Sequence, residues 1–286
     1  NFDTVDALTG RYLGRPKSAT FRTLDVVGLD VFARVVDTMR NNLADDPWHT
    51  HFTLPDWLDK LIAEGALGQK TKRGVYQKVG NKIHVFDLGL QTYRLSEDKF
   101  DDAVKDMLRE RDWAKKLDAL HASARPQAQF LWAVFRDLFH YCAVHLEGIA
   151  NNARDLDFAV RWGFGWDSGP FEIWQTAGWQ KVVGWINEDI AAGRTMSSAP
   201  LPGWVTDATR NEVHSAQGSY SPGSNQYQAR SKLPVYNRQE FPDRLLGEVT
   251  QYGETIFETE AVRMWHSGND IAILSFGSTL SAAEAV

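Results

Sequence analysis

One motif occurs twice in this chain, about 150 residues apart, and this duplication constrains the fold more than any other feature. The first copy, residues 6–29, reads DALTGRYLGRPKSATFRTLDVVGL, and the second, residues 157–179, reads DFAVRWGFGWDSGPFEIWQTAGW. With Asp157 aligned to Asp6, and one residue inserted at Thr20, FEIWQTAGW falls on FRTLDVVGL. The spacing is too long for the unit of a solenoid, so we interpret the copies as parts of two duplicated domains.

Each copy predicts a helix that ends at a glycine, a tight turn with proline, and a second helix that opens on an aromatic residue. Glycines at the end of the first helix are expected to take positive φ, and those inside the second helix are expected where another backbone approaches closely. The residues that define the motif are Gly14, Pro16, Phe21 and Gly28 in the first copy, and Gly165, Pro170, Phe171 and Gly178 in the second.

Hydrophobic periodicity predicts mainly helices along the rest of the chain. An apolar stripe on one predicted helix has helical spacing, and residues 74–94 change to a two-residue period around Gly80 and Asn81, which predicts a hairpin. Residues 216–232 are rich in Gly, Ser, Pro and Gln and predict an exposed connection. The predicted helices are 3–13, 22–43 with the stripe Leu24, Val27, Val31, Val35 and Met39, a short one from Pro55, a charged one within 96–122, an apolar one at 126–148, and one through 182–186.

GFGWDSGPFEIWQTAGW resembles the signature of the C-terminal helical domain of 3-hydroxyacyl-CoA dehydrogenases, which act in fatty-acid β-oxidation. LGRPKSATFRTLDVVGLD resembles the form that this signature takes in the first of the two tandem C-terminal domains of multifunctional members. GALGQKTKRGVY, residues 65–76, resembles the closing segment of that first domain. The resemblance covers most of residues 1–205.

The resemblance implies a mainly α fold of two tandem helical bundles of this C-terminal type, with a small β-hairpin and a C-terminal β fragment. We expect the first helical domain at residues 1–95, its duplicate at 96–205 and a linker at 206–256. Residues 257–286 contain two strand-like runs around Ser267-Gly268-Asn269-Asp270, followed by a predicted helix start. They resemble the opening of the crotonase fold, the enoyl-CoA hydratase family, so we expect a crotonase-like domain to begin there.

Composition narrows the class of protein. Of 286 residues, 43% are hydrophobic and 24% charged, which is typical of a globular protein, and no stretch has the length and apolar character of a membrane span. The net charge of −6 gives no general attraction to nucleic acid or anionic lipid. Cys142 is the single cysteine, so an internal disulfide is excluded and a cytoplasmic location is expected.

Few residues predict chemistry. His140, Cys142 and His145 do not share one helical face, so core packing is favoured over metal binding, and His49 with His51 has no evident third ligand. Lys70, Lys72 and Arg73 form a basic patch that could contact a CoA phosphate, although a solvated surface is the simpler interpretation. The eleven tryptophans predict aromatic core filling, and among them are Trp162, Trp166, Trp174 and Trp179.

A dinucleotide site is not predicted. Gly163-Phe164-Gly165 follows a helix and not a strand, and its third glycine comes one residue late and is followed by Pro170, so a structural turn is favoured. The family resemblance implies a catalytic His–Glu pair in an N-terminal NAD-binding domain and an asparagine on the first helix of the first C-terminal domain, all preceding Asn1. In the second copy the equivalent helix has Leu131, Trp132 and Ala133 instead, so this copy is expected to be structural.

The chain is therefore expected to be the substrate-side and dimerisation part of an NAD-dependent 3-hydroxyacyl-CoA dehydrogenase whose parent also carries a hydratase. It would act with the NAD-binding domain, acyl-CoA and another subunit, while binding no NAD or metal and holding no catalytic residue itself. The alternative is a non-catalytic helical oligomerisation module without substrate contact.

Overall fold

A computed structural model describes residues 1–97, 99–231, 233, 245–247, 254–259, 262–266 and 270–276. The fold is mainly α, with small antiparallel sheets, as the sequence predicts. The chain forms two compact units, which we describe separately. Residues 1–213 and 220–226 form unit 1, and residues 214–219 with the described residues from 227 onward form unit 2.

The helices lie mostly in unit 1. They are α1 (Phe2–Thr9), α2 (Phe21–Val27), α3 (Leu29–Asn42), α4 (Asp56–Ala63), α5 (Asp102–Arg109), α6 (Trp113–Ala122), α7 (Pro126–Ile149), α8 (Ala153–Phe164), α9 (Pro170–Ala191) and α10 (Gly203–Thr206). The described strands are β1 (Tyr76–Val79), β2 (Lys82–Asp87), β3 (Thr92–Leu95), β4 (His214–Ser215), β5 (Gly218–Ser221), β6 (Gln226–Gln228), β7 (Glu254–Glu258), β8 (Val262–His266) and β9 (Ala272–Phe276).

The first repeat of unit 1 packs α1 to α4 against a small sheet. The prediction of strands around Gly80 and Asn81 is confirmed, and a third strand extends the hairpin: β1, β2 and β3 pair antiparallel in that order, with Tyr76 opposite Val85 and Phe86 opposite Tyr93. One apolar cluster joins the helices to the sheet because each element contributes its buried side. Its buried members include Phe2, Leu29, Leu58, Leu61, Val75, Val85 and Phe86.

Two predicted helices are each divided in the structure. The helix predicted at residues 22–43 is two helices, because Gly28 takes φ 102° and ψ 130° between α2 and α3. The charged helix predicted within 96–122 is α5 and α6, and each has its own aspartate cap. Asp101 accepts a hydrogen bond from the Ala103 N–H, and Asp112 accepts one from the Ala114 N–H.

The second repeat is built around α7 and α9. α7 begins at Pro126, as predicted, and its buried face includes Leu131, Phe135 and Phe139. Phe139 stacks on Trp174 of α9 with ring centroids 5.4 Å apart, and Trp174 stacks on Trp179 at 4.4 Å. Core filling is thus confirmed for these two tryptophans. The prediction of core filling is wrong for Trp162, which is 64% exposed.

The two copies of the glycine turn contact each other within unit 1. Gly14 and Gly165 both end their helical segments in the left-handed region, at φ 64° and 65°, so the predicted positive φ is confirmed. The Asp167 N–H donates a hydrogen bond of 2.8 Å to the Gly14 carbonyl, and a Cβ at Gly165 would lie 3.3 Å from Pro16. The repeats therefore meet at equivalent positions.

The stretch predicted as an exposed connection is partly ordered and buried. In unit 2, β4 pairs antiparallel with the start of β5, with His214 opposite Ser219. In unit 1, Tyr220 is buried, and its ring packs against that of Trp204 with the centroids 5.5 Å apart. The prediction of exposure is therefore wrong at 218–221, because both ends of this stretch pack against neighbouring residues. The predicted boundaries at residues 95, 205 and 256 stay predictions.

Unit 2 also contains an antiparallel sheet of β7, β8 and β9. Arg263 lies opposite Glu258 on one side and Ser275 on the other, and Trp265 is buried. β8 and β9 confirm the two strand-like runs predicted in this segment. The helix start predicted after them and the turn residues Ser267, Gly268 and Asn269 lie outside the described residues.

Candidate substrate-side face

A buried aspartate closes the glycine turn in each repeat. Asp6 accepts hydrogen bonds from the N–H groups of Thr20, Phe21 and Arg22, at 2.6 to 3.0 Å. Asp157 accepts from the N–H groups of Phe171 and Glu172, at 2.9 and 3.0 Å. These N–H groups lie at a helix start, where no carbonyl of the same helix can accept from them. Each carboxylate is therefore an N-terminal cap supplied from the preceding helix.

A second acceptor, three residues before the motif's last glycine, holds the closing segment of each repeat. In the first repeat Asp25 accepts from the N–H groups of Val75 and Tyr76, both at 2.8 Å. In the second repeat the aligned residue Gln175 accepts from the Val213 N–H at 2.8 Å. Burial raises the pKa of Asp25 to about 6. The Tyr76 hydroxyl donates to Asp6, and burial raises the pKa of that carboxyl too.

Gly28 and Gly178 occupy equivalent breaks in their helices. Gly178 interrupts α9 with φ 102° and ψ 102°, and Gly28 has the same φ. The expectation of an uninterrupted helix and a closely approaching backbone is wrong for Gly178, since a Cβ there would meet only Lys181, at 3.5 Å. Glycine is required at these positions because side chains rarely tolerate this φ.

The apolar residues that were predicted to form a stripe on the second helix lie on α2 and α3, and several of them are exposed to solvent. Val27 is 50% exposed, Val31 42% and Val35 49%, whereas Leu29 and Val36 on the same segment are buried. Val26 and Phe32 extend this exposed surface. We call these five residues the α2–α3 stripe. An apolar helix face of this kind is typical of a surface that another domain or an apolar ligand covers.

The predicted basic patch lies beside α3, and its cations are mostly engaged. Lys70 Nζ is 2.5 Å from Asp30 Oδ1 on α3, and Arg73 Nη2 is 2.8 Å from Glu64 Oε2. Lys72 is exposed, with φ 58°. Two of the three positive charges are thus compensated within the chain, and Lys72 is exposed and forms no ion pair with the described residues.

The histidines serve packing between the repeats. His140 is fully buried and pairs through Nε2 with the Ala199 carbonyl at 2.8 Å, and its ring packs 4.8 Å from Trp48. Burial lowers the pKa of His140 and raises that of the Cys142 thiol. His145 lies 3.3 Å from Asp46, and His51 pairs with the Met196 carbonyl at 2.7 Å. Among the described residues there is no group of three metal-ligating side chains.

On α7, Leu131 and Trp132 are apolar and buried, whereas Ala133 is partly buried. Leu131 is fully buried, and the Trp132 indole donates to Asp189 at 2.9 Å. Arg136 and Arg194 also contact Asp189. Although burial would raise the pKa of Asp189, hydrogen bonds from these partners hold it below its usual value. This cluster ties α7 to the end of α9.

Sequence reasoning missed two cations at the junction of the repeats. Arg15 lies over the Trp166 ring, with its guanidinium carbon 3.9 Å from the ring centroid. Lys116 is only 5% exposed and donates to the Tyr12 carbonyl at 3.0 Å. Their partners are about 100 residues or more away in sequence, so no local pattern could have indicated either contact. The aspartate caps were detectable, because Asp6 and Asp157 occupy the same position in both copies.

No described helix is long and apolar enough to cross a bilayer.

Comparison with known proteins agrees with this geometry. Residues 1–78, which contain α1 to α4 and β1, match the family model of the 3-hydroxyacyl-CoA dehydrogenase C-terminal domain. A probable 3-hydroxyacyl-CoA dehydrogenase of Bacillus subtilis is 34% identical over 203 residues, which cover 71% of this chain and 25% of the relative. One from Deinococcus radiodurans is 43% identical over 74 residues, covering 26% of this chain and 20% of the relative.

A putative fatty acid oxidation complex trifunctional enzyme of Rickettsia prowazekii is 24% identical over 224 residues, covering 74% of this chain and 28% of the relative. The chain thus spans about a quarter of the length of these relatives. The match to the family model, the α2–α3 stripe and the Asp6 cap all fall within residues 1–78. The chain is therefore similar to the 3-hydroxyacyl-CoA dehydrogenases, and its first 78 residues match the model of that family's C-terminal domain.

Proposed function

We propose that this chain is the substrate-side helical part of an NAD-dependent 3-hydroxyacyl-CoA dehydrogenase of fatty-acid β-oxidation. The observation that carries the proposal is the α2–α3 stripe, which leaves apolar side chains exposed within the region that matches the family's C-terminal domain. In this proposal the stripe forms one wall of the acyl-CoA cleft and packs against an NAD-binding domain. That domain supplies the catalytic histidine and glutamate and binds the cofactor.

The basic patch supports a position near the substrate. Lys70 is bonded to Asp30, so residues 70–73 lie beside the first turn of α3, next to the stripe. We propose that Lys72 contacts a phosphate of CoA while Lys70 and Arg73 fix the loop through their ion pairs. A solvated surface patch remains the simpler alternative, and a Lys72→Gln variant with unchanged CoA affinity would favour it.

The relatives named as trifunctional enzymes also motivate a proposal for the end of the chain. We propose that residues 257–286 begin a crotonase-like hydratase domain, for which the antiparallel pairing of β8 and β9 gives support. Expression of this segment together with the continuation of its gene should yield enoyl-CoA hydratase activity. An inactive but folded product would contradict the proposal.

The principal test is reconstitution. The chain alone is expected neither to bind NADH nor to oxidise 3-hydroxybutyryl-CoA, and titration of NADH followed by its fluorescence checks the first point. Addition of the separately expressed NAD-binding domain should restore NADH formation. Saturable micromolar NADH binding to the chain alone, or no turnover after both parts combine, would contradict the proposal.

A second candidate is a non-catalytic oligomerisation module. It is favoured by the aromatic end of α8, where Trp162 is 64% and Phe164 66% exposed. Aromatic side chains of this kind are enriched at protein interfaces. Light scattering on the purified chain distinguishes the two candidates when it is combined with the reconstitution assay, because this module would self-associate and give no turnover. A cytoplasmic location remains our prediction for either.

A further inference from the structure

The junction between the two glycine turns contains an arginine whose guanidinium forms no ion pair with any residue that the structure describes. The Arg15 guanidinium carbon lies 3.9 Å from the centroid of Trp166 and 5.8 Å from that of Phe135. Within the part of the chain that the structure describes, none of the side-chain hydrogen bonds or ion pairs involves this guanidinium. Its N–H groups therefore have no acceptor among the described residues, although its face is covered by aromatic rings.

A second cation, Lys116, contacts the same cluster of aromatic side chains. Lys116 Nζ lies 4.3 Å from the centroid of Trp113, and the Trp113 ring is 5.5 Å from that of Phe135, which Arg15 also contacts. Lys116 donates to the carbonyl of Tyr12, three residues before Arg15. Among the described residues it has no carboxylate within ion-pair distance, and Glu110 acts on it only from farther away.

Burying two positive charges costs free energy unless a negatively charged group neutralises them. Burial lowers the pKa of Arg15 to about 10 and also lowers that of Lys116. The chain has 37 acidic residues against 31 basic ones, yet none of the carboxylates that the structure describes is paired with either cation. Asp167, on the adjoining turn near Gly14, also forms no ion pair with Arg15. Arg15 and Trp166 are only partly buried, so solvent reaches this position.

We propose that Arg15, supported by Lys116, binds the phosphoryl group of a phosphate-bearing ligand at the junction of the two repeats. A guanidinium stacked on a ring keeps its N–H edge available for a bidentate oxyanion, and the second positive charge favours a dianion over a carboxylate. The phosphoryl group has two sources: free inorganic phosphate, or a phosphate ester such as the 3′-phosphate of coenzyme A. The second source rests on the proposed function.

The test is calorimetric titration of the full chain with inorganic phosphate, at constant ionic strength maintained with chloride. We expect saturable binding, and a melting temperature that rises with phosphate concentration. Arg15→Gln should weaken binding at least about tenfold, because it removes charge-assisted hydrogen bonds. Arg109→Gln is the matched control, since Arg109 is exposed on α5 and its substitution should leave binding unchanged.

One further variant makes the result decisive. Arg15→Lys keeps the charge and the ring contact but loses the bidentate fork, so it should bind several-fold more weakly even if Arg15→Gln does not fold. The proposal would be overturned if the natural chain showed no saturable phosphate binding. It would also be overturned if both Arg15 variants bound phosphate with the same affinity as the natural chain.

The source of the phosphoryl group is assigned by comparing coenzyme A with dephospho-coenzyme A, which lacks the 3′-phosphate. Tighter binding of coenzyme A that Arg15→Gln abolishes assigns the site to the ester, and binding of neither compound by a chain that binds inorganic phosphate assigns it to free phosphate. The reconstitution assay keeps the two proposals separate. Phosphate binding without restored turnover contradicts only the proposed function, whereas turnover without phosphate binding contradicts only this site.

Discussion

At the scale of single residues, the position of Asp25 requires an oxygen that accepts hydrogen bonds more than it requires a negative charge. Asp25 accepts two backbone N–H groups of the closing segment, and the neutral amide of Gln175 accepts the corresponding bond in the second repeat. Burial raises the pKa of Asp25 from its usual 3.8 to about 6. The folded chain therefore binds a proton here at a pH at which the unfolded chain has already released it.

This pKa predicts a pH dependence of stability. Because the folded state holds more protons between pH 4 and pH 6, the free energy of unfolding contributed by Asp25 is greatest below about pH 4 and falls as the pH rises to about 6. A shift of about two pKa units corresponds to roughly 3 kcal/mol. Urea unfolding of the natural chain and of Asp25→Asn, at pH 4.5 and pH 7, should show this difference. A constant gap between the two proteins would contradict it.

Gly178 leads to a second prediction at this scale. Gly178→Ala should lower the free energy of unfolding by about 1–2 kcal/mol, since alanine is strained at φ 102°. Gly184, on the same helix with ordinary φ and open space around it, is the matched control. Gly184→Ala should be neutral or stabilising by up to ~1 kcal/mol through helix propensity. Equal effects in thermal unfolding would show that backbone conformation is not the reason for glycine at 178.

At the scale of elements, α3 contributes one face to the core and leaves another exposed to solvent. Val36 and Leu29 are buried, whereas Val31 and Val35 are exposed. Helical spacing predicts that an apolar stripe exists but not what covers it, because the same pattern suits a core and a docking face.

The double variant Val31→Asp with Val35→Asp tests the stripe. Stability of the chain alone should change little, by about 1 kcal/mol or less, because both side chains are exposed. Turnover after addition of the NAD-binding domain should fall at least tenfold, because charges would then face the apolar contact. Val79→Asp is the control, since Val79 is 52% exposed on β1. Full turnover with the double variant would exclude the stripe as the docking face.

The sequence was sufficient to predict that the main helices exist, but not several of the residues at which they begin or end. α7 was predictable because Pro126 opens it and its side chains are apolar on nearly every face. The division of 22–43 at Gly28 was not, since glycine is tolerated inside helices and only tertiary structure fixes its φ. The Arg15 contacts could not be predicted either, because Trp166 and Phe135 come from elements more than 100 residues away.

At the scale of the whole chain, unit 1 extends past the predicted end of the second repeat at residue 205. Val213 is bonded to Gln175, and Gln180 to the carbonyls of Asp207 and Arg210. Arg210 in turn lies 3.6 Å from the ring centroid of Tyr220. The composition of this stretch suggested a linker because glycine, serine and glutamine also occur in short turns and tight strands. The buried Tyr220 was the one residue that could have indicated otherwise.

Two truncations test where the folded unit ends. A chain ending at Gln228 should retain the helical circular dichroism of unit 1 and a cooperative thermal transition. A chain ending at residue 205 should melt several degrees lower, because it loses the bond to Gln175 and the contacts of Tyr220. Equal melting temperatures for both truncations would support the boundary at 205 and show that residues 206–228 add no stability.

The bond between the turn at Gly14 and the turn at Asp167 joins two similar bundles that belong to one polypeptide. The same contact between separate molecules would be lost on dilution, whereas tethered partners experience an effective concentration on the order of millimolar whatever the protein concentration. Because both bundles belong to one polypeptide, they are always present in a one-to-one ratio and close to each other. The second bundle, with leucine at 131 and tryptophan at 132 in its core, therefore stays in contact with the first at any protein concentration.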